Sequence, residues 1–342
     1  MRWRRKNVAV TASRIDLAWR RSLRAAIEGN WLGAETWLER IVEADSNDLD
    51  AYLALARLYR DQGAVGRAIR MHQNLLLRSE LSRAERAEAL SELGRDFEKG
   101  GFDSRAAATY EEWLALESDN AEILERLVSV QLGLNEFARA LALAKRLRRR
   151  NREAGERLEV EILLAQSQVQ VDLGNHDAAR RSIKRCLRRN KSCGQAWLRL
   201  GEIEAERGKT NRALEAWKRG AERDPEAATD IYPKLAATYA AKGKAEDFDA
   251  FLLRLLESRP EDHSAQIALA RVRSSRGDSK SAIEDLARAV EIAPEDFELR
   301  KEFGRQLMAA GQDLEALKAY AELLDVIDRL PSIADVAGEG RR

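Results

Sequence analysis

Glycine recurs through this 342-residue chain on a nearly fixed ruler. It stands at 29, 63, 101, 174, 208, 243, 277 and 311, and the one gap is filled by Asn135, the non-glycine type that best tolerates the same left-handed backbone. Five residues after each come Ala34, Ala68, Ala106, Ala140, Ala179, Ala213, Phe248, Ala282 and Ala316. A glycine that ends one helix, followed at constant offset by a small residue, suits a tight turn between two closely packed helices. The pattern predicts nine helical hairpins between residues 15 and 330, in an all-α chain that grows by stacking one hairpin on the next.

The most regular copy runs from Gly194 to Pro225. Trp197, Leu200, Gly201, Gly208, Ala213, Trp217 and Pro225 resemble the tetratricopeptide repeat pattern, with Glu204 in the slot usually held by tyrosine. The resemblance implies a right-handed α-solenoid of about nine tetratricopeptide hairpins. Most turn positions lie 34 or 35 residues apart, but two junctions carry extra residues, near 78–90 and 148–160. At the first, Ser82 and Glu85 have the spacing of a capping box that opens a lengthened helix. At the second, Gly155 is expected to break the chain. Residues 1–14 read as a basic tail, with an amphipathic helix after it whose apolar stripe is Ile15, Trp19, Leu23, Ala26 and Ile27. Residues 331–342 read as a C-terminal tail.

Charged residues make up 34% of the chain and apolar residues 44%, with 5 prolines, which fits an almost wholly helical protein. No run of 18 apolar residues occurs, so no membrane-spanning helix is expected. Cys186 and Cys193 are too few for a disulfide framework or a four-cysteine zinc site. A reducing, cytoplasmic setting is expected, with Cys186 a small buried side chain. His72, His176 and His263 fall in different hairpins, too far apart to share a metal, and His72 occupies an aromatic packing slot. Gly208-Lys209-Thr210 lacks the upstream glycine and strand of a phosphate loop. Neither a catalytic centre nor a cofactor is expected, and the function class that remains is binding.

In stacked hairpins the first helix of each unit lines the concave side. The register places Arg57, Arg95, Gln168, Arg271 and Arg305 toward that groove, with Leu132, Leu164, Val171 and Leu198 as an apolar floor. Such a surface suits a peptide or helix that carries carboxylates and apolar anchors. Two basic runs, 145–152 and 180–191, contribute Arg148, Arg149, Arg150, Arg185, Arg188 and Arg189. Side by side they would form one positive patch, which reads either as a solvated face or as a site for an anionic membrane surface or an acidic protein. Nucleic acid is the weaker expectation, because neither run contains an aromatic residue for stacking bases.

Beyond the repeat, EGNWLGAETWLERIVEADSNDLDAYLALARLYRDQGAVGRAIRMHQNLL (28–76) and LSRAERAEALSELGRDFEKGGFDSRAAATY (81–110) resemble the lipopolysaccharide assembly protein B family. The second long junction resembles that family in place and length. Family members carry an N-terminal transmembrane helix and a rubredoxin-like module with two CxxC pairs. They act as adaptors that help a membrane-bound AAA protease degrade the deacetylase committing a sugar nucleotide to lipid A. The resemblance therefore implies a non-enzymatic adaptor, with an envelope-biogenesis protein or a protease as partner, at the inner face of the cytoplasmic membrane. The basic residues 1–14 and the lack of cysteine after Cys193 lead us to expect neither that anchor nor that metal module here.

Overall fold

The computed structural model describes the backbone of residues 2–329 apart from 119, and the side chains of 14–324. Among the described residues every regular element is an α-helix. The helices pair as α1 (Arg2–Ile27) with α2 (Trp31–Ala44), α3 (Leu49–Asp61) with α4 (Val65–Leu76), and α5 (Arg83–Lys99) with α6 (Asp103–Leu116). They continue as α7 (Ala121–Gly133) with α8 (Phe137–Arg148), and α9 (Arg152–Asp172) with α10 (His176–Arg189). The last pairs are α11 (Gly194–Glu206) with α12 (Thr210–Arg223), α13 (Pro225–Ala241) with α14 (Ala245–Ser258), α15 (His263–Ser275) with α16 (Ser279–Ile292), and α17 (Phe297–Ala309) with α18 (Asp313–Arg329).

All nine ruler positions lie in these intra-hairpin turns and all have positive φ, from +58° at Asn135 to +90° at Gly277. The turn is selected by backbone sterics, because a side chain in that conformation is strained. The residue five positions on is buried in every hairpin. Eight of these are alanine. The ninth, Phe248, stacks on Tyr239 with ring centroids 5.7 Å apart and also meets Tyr232 and Phe251.

The chain forms two compact units divided between Gln166 and Ser167, inside α9. Within the first, Leu38, Ile41, Leu55 and Tyr59 belong to a core shared by the first two hairpins. Within the second, Trp217, Ile231, Leu235, Phe248 and Leu252 join α12, α13 and α14 in one core. Both long junctions are lengthened helices. The 17-residue α5 opens on a full Ser82–Glu85 capping box, and the 21-residue α9 opens on Asn151, whose side chain accepts from the Ala154 N–H.

Gly155 is not a break. It lies in the first turn of α9, where a Cβ would overlap the backbone of Arg148 at the end of α8. Glycine is used here for close approach between helices. The backbone of residues 2–14, expected as a tail, is helical and continuous with α1. Residues 331–342 lie outside the described residues.

Candidate functional site

The first helix of hairpins two to four carries a ladder of paired charges. Arg57 on α3 and Arg95 on α5 both reach Glu92, at 3.1 and 3.2 Å, while Arg57 also meets Glu88 and Arg95 meets Glu122. Glu92 itself is buried. Burial works to raise its carboxyl pKa, but the Arg60 hydrogen bond and the charges of Arg57, Arg60 and Arg95 outweigh it and hold the group below the ordinary carboxylate range. Its contribution to stability is therefore present above that range and is lost as pH falls through the lowered value.

The same device recurs in the second unit. Arg271 on α15 and Arg305 on α17 meet at buried Glu302, at 2.6 and 3.3 Å. Glu302 is likewise held low: Arg271, Gln306 and Arg305 overcome the burial that would raise it.

All four arginines assigned to the groove thus stand at an internal carboxylate. The register found the cations and missed their partners. A signal for them was present, since Glu92–Arg95 and Glu302–Arg305 are three-residue pairs at the same offset before their turn glycines.

The remaining groove positions, Gln168 and the apolar floor, fare differently. Leu132, Leu164, Gln168 and Val171 are half-buried, and Gln168 donates to Asp172 at 2.7 Å. Leu198 does not line an open floor. It is buried in the core between α11 and α13, because α13 packs directly over it.

The open apolar surface lies one hairpin further on. Between α13 and α15, backed by α14, is a pocket of about 480 Å³. Pro233, Ala236, Ala237 and Ala240 form one wall, Ile267, Ala268 and Val272 the other, Tyr232 and Phe248 the back, and Arg271 and Glu298 the rim. Two causes combine to open it. Tyr232 apart, the α13 residues that line it are no larger than threonine or proline. Phe248 also takes the slot that alanine fills elsewhere, and α13 and α14 touch each other less than α11 and α12 or α15 and α16 do. Polar groups line the mouth: Thr229 and Ser264 hydroxyls are 2.9 Å apart, Tyr232 donates to Asp262 at 3.3 Å, and Pro233 has no N–H to give the Thr229 carbonyl. Ala237 and Ile267 fall at groove positions of the sequence register. Four alanines within residues 236–241 were the unread signal for a cavity.

The two basic runs fall in different units, with Arg148, Arg149 and Arg150 in the first and Arg185, Arg188 and Arg189 in the second. Arg148 is paired with Glu159 at 3.2 Å. Arg188 lines a surface groove of the second unit with residues of α12, whereas Arg185 does not. Trp197 lines the same groove, so an aromatic ring from α11 joins cations that in sequence have none beside them.

His72 is buried as expected, but its environment is polar. Its Nδ1 lies 2.6 Å from buried Asp96, which also accepts from Arg60 at 3.1 Å. Among the described residues no group of three His, Cys, Asp or Glu side chains is placed to hold a metal ion, and no helix is long and apolar enough to cross a membrane.

Cys186 is buried and Cys193 is the residue before α11. The Cys186 thiol donates to the Cys193 sulfur, and the N–H groups of Ala196 and Gln195 add to this, so Cys193 titrates below the ordinary thiol range while Cys186 is pushed up. Iodoacetamide at neutral pH should alkylate Cys193 well before Cys186. Peptide mass mapping over a time course checks it, and the reverse order would contradict this geometry.

Comparison with known proteins agrees with the repeat. Tetratricopeptide repeat profiles match residues 164–229 and 263–296. The chain is 25% identical over 256 residues to lipopolysaccharide assembly protein B of Escherichia coli (strain K12), covering 74% of this chain and 65% of that protein. It is 26% identical over 248 residues to the protein of the same name from Haemophilus influenzae (strain ATCC 51907 / DSM 11121 / KW20 / Rd), covering 72% and 61%. The chain thus spans less than two thirds of the length of these curated relatives. Among solved structures it is similar to YrrB, described as a TPR protein with an unusual peptide-binding site, at 19% identity and TM-score 0.38, covering 60% of this chain and 97% of that one. It is also similar to MamA MSR-1 C2, at 18% identity and TM-score 0.35, covering 51% and 95%. The chain carries tetratricopeptide repeats in a helical-hairpin fold and resembles lipopolysaccharide assembly protein B.

Proposed function

We propose that this chain is a non-enzymatic adaptor that holds a partner protein by seating an apolar side chain of a peptide segment in the α13–α15 pocket. The observation that carries this reading is the pocket itself: preformed, lined by small apolar residues, and rimmed by one cation and one carboxylate that would orient a backbone or a charged flank. Tetratricopeptide repeats support the class, since stacked hairpins with these motifs are protein-interaction scaffolds. The likeness to lipopolysaccharide assembly protein B supports a partner from lipopolysaccharide or envelope biogenesis, and a cytoplasmic adaptor acting at the inner membrane face.

Peptide display against the full chain tests it. Selected peptides should share an apolar anchor, and Ala237→Trp, at an exposed lining position, should weaken them by about tenfold or more through occlusion of the pocket. Peptides that bind the variant as well as the parent would place recognition elsewhere and end the proposal.

A further inference from the structure

The second unit has another concavity, on the side formed by second helices. The groove between α10 and α12, floored by α11, encloses about 920 Å³. Its floor is apolar: Leu187, Leu200 and Ala216 are buried beneath it, and Trp197 is held with its indole N–H donating to the Lys191 carbonyl at 2.8 Å.

The walls are cationic. Along α10, Arg180, Lys184 and Arg188 repeat at four-residue steps, and along α12, Arg212, Ala216, Arg219 and Arg223 do nearly the same. Seven cations line the groove against two carboxylates, Glu204 and Glu215. Both carboxylates are already engaged, Glu204 by Arg180 and Arg207 and Glu215 by Arg219. Among the described residues no carboxylate lies within ion-pair distance of the other five cations, Lys184, Arg188, Lys191, Arg212 and Arg223. This differs from the groove arginines elsewhere in the chain, each of which meets an internal acid. Five like charges converging on one cleft repel one another, a cost that an anionic occupant would relieve.

The shape selects among anions. A planar bilayer would meet only the exposed cations of the walls and leave Leu187, Leu200 and Ala216, buried between them, unused. Single-stranded nucleic acid gains most from stacking on open aromatic faces, but here one ring serves, and the Arg219 and Arg223 guanidinium groups already lie over it at 5.8 and 6.0 Å from its centroid. An acidic helix meets both requirements. Its apolar stripe would rest on the floor, and carboxylates spaced four residues apart, about 6 Å along the axis, would match the four-residue steps of the walls.

We propose that the α10–α12 groove docks an acidic amphipathic helix of a partner protein, with its apolar stripe over the Leu187, Leu200 and Ala216 floor and carboxylates on Lys184, Arg188, Lys191, Arg212 and Arg223. This site is separate from the α13–α15 pocket, so the chain would hold two partner segments at once.

The test uses the full chain and a fluorescent synthetic helix with a leucine stripe flanked by glutamates at every fourth position, followed by anisotropy. Oligo-uridine RNA and phosphatidylserine vesicles are assayed in parallel. The peptide should bind, weaken steeply with added salt, and lose about tenfold or more in affinity to the double variant Lys184→Glu/Arg212→Glu. Both positions are exposed, and circular dichroism should show the fold unchanged. Ala237→Trp should leave the interaction intact, which separates failure of this site from failure of the pocket. No binding, equal binding to the double variant, or tighter and equally variant-sensitive binding of RNA or vesicles would overturn the proposal.

Discussion

Asp96→Ala should lower the folding stability of the first unit by about 3–5 kcal/mol, the range for removing one member of a buried charged pair. Asp96 is fully buried and bridges His72 and Arg60. Arg60 in turn holds Glu92 at 2.8 Å, and Glu92 holds Arg57 and Arg95. Removing the aspartate leaves His72 with neither ring nitrogen hydrogen-bonded, because its Nε2 already lacks a partner. It also leaves Arg60 with Glu92 and, at 4.0 Å, the exposed Asp61. Asp96→Asn, which keeps the shape and one acceptor, should cost less. Urea unfolding of the two variants beside the parent reads this directly, and a loss below about 1 kcal/mol for Asp96→Ala would mean that the network is not a structural unit.

Gly155→Val is expected to cost about 1–3 kcal/mol by overpacking, or more because the obstacle is main chain. The added carbon would fall on Arg148 Cα and N, and neither can swing aside as a side-chain end could. Gly66→Ala is the control. Gly66 is the second residue of α4, and a Cβ there would meet only the tip of Arg70 at 3.7 Å. That substitution should stabilise by up to about 1 kcal/mol, since alanine is the better helix former. The same denaturation experiment separates them, and equal midpoints would show that the α8–α9 approach is not tight.

These two glycines mark what a sequence can and cannot disclose. The turn glycines were legible because the requirement is local: the backbone of one residue must turn left-handed, and only glycine or asparagine does so cheaply. Gly155 meets a requirement set by a neighbouring helix, so its local signature, poor helix propensity, pointed to a break that does not exist. The groove arginines were legible from register, and Glu92 and Glu302 were readable as three-residue partners of Arg95 and Arg305, but their contacts with Arg57 and Arg271 were not, because a one-dimensional pattern does not say which neighbouring hairpin supplies the counter-charge. Glu204 had the same fate. It stood out as a departure from the tyrosine slot, and its reason, Arg180 on α10 and Arg207 just after α11, belongs to packing. The pocket was hidden for another reason: a cavity is made by side chains that are small, and alanine draws no notice in a helical protein. Leu198 was misplaced because an apolar residue at a groove position reads the same whether the next helix covers it or leaves it open.

The arginine–glutamate pairs also bear on how such an array can change. Hydrophobic interfaces between hairpins of this kind are nearly interchangeable, so gain or loss of a unit is an easy mutational event. Here the joint from the second hairpin to the third is keyed, Arg57 meeting Glu92. Excision of the third hairpin would put Arg126, the residue at the corresponding offset of the fourth, where Arg57 now meets Glu92, while Glu122 would stand at the offset of Glu88. A joint matched at two carboxylates would keep one and gain a like charge. Charge thus acts as an address that fixes the order of the units, and shuffled descendants of this chain would have to rewrite it.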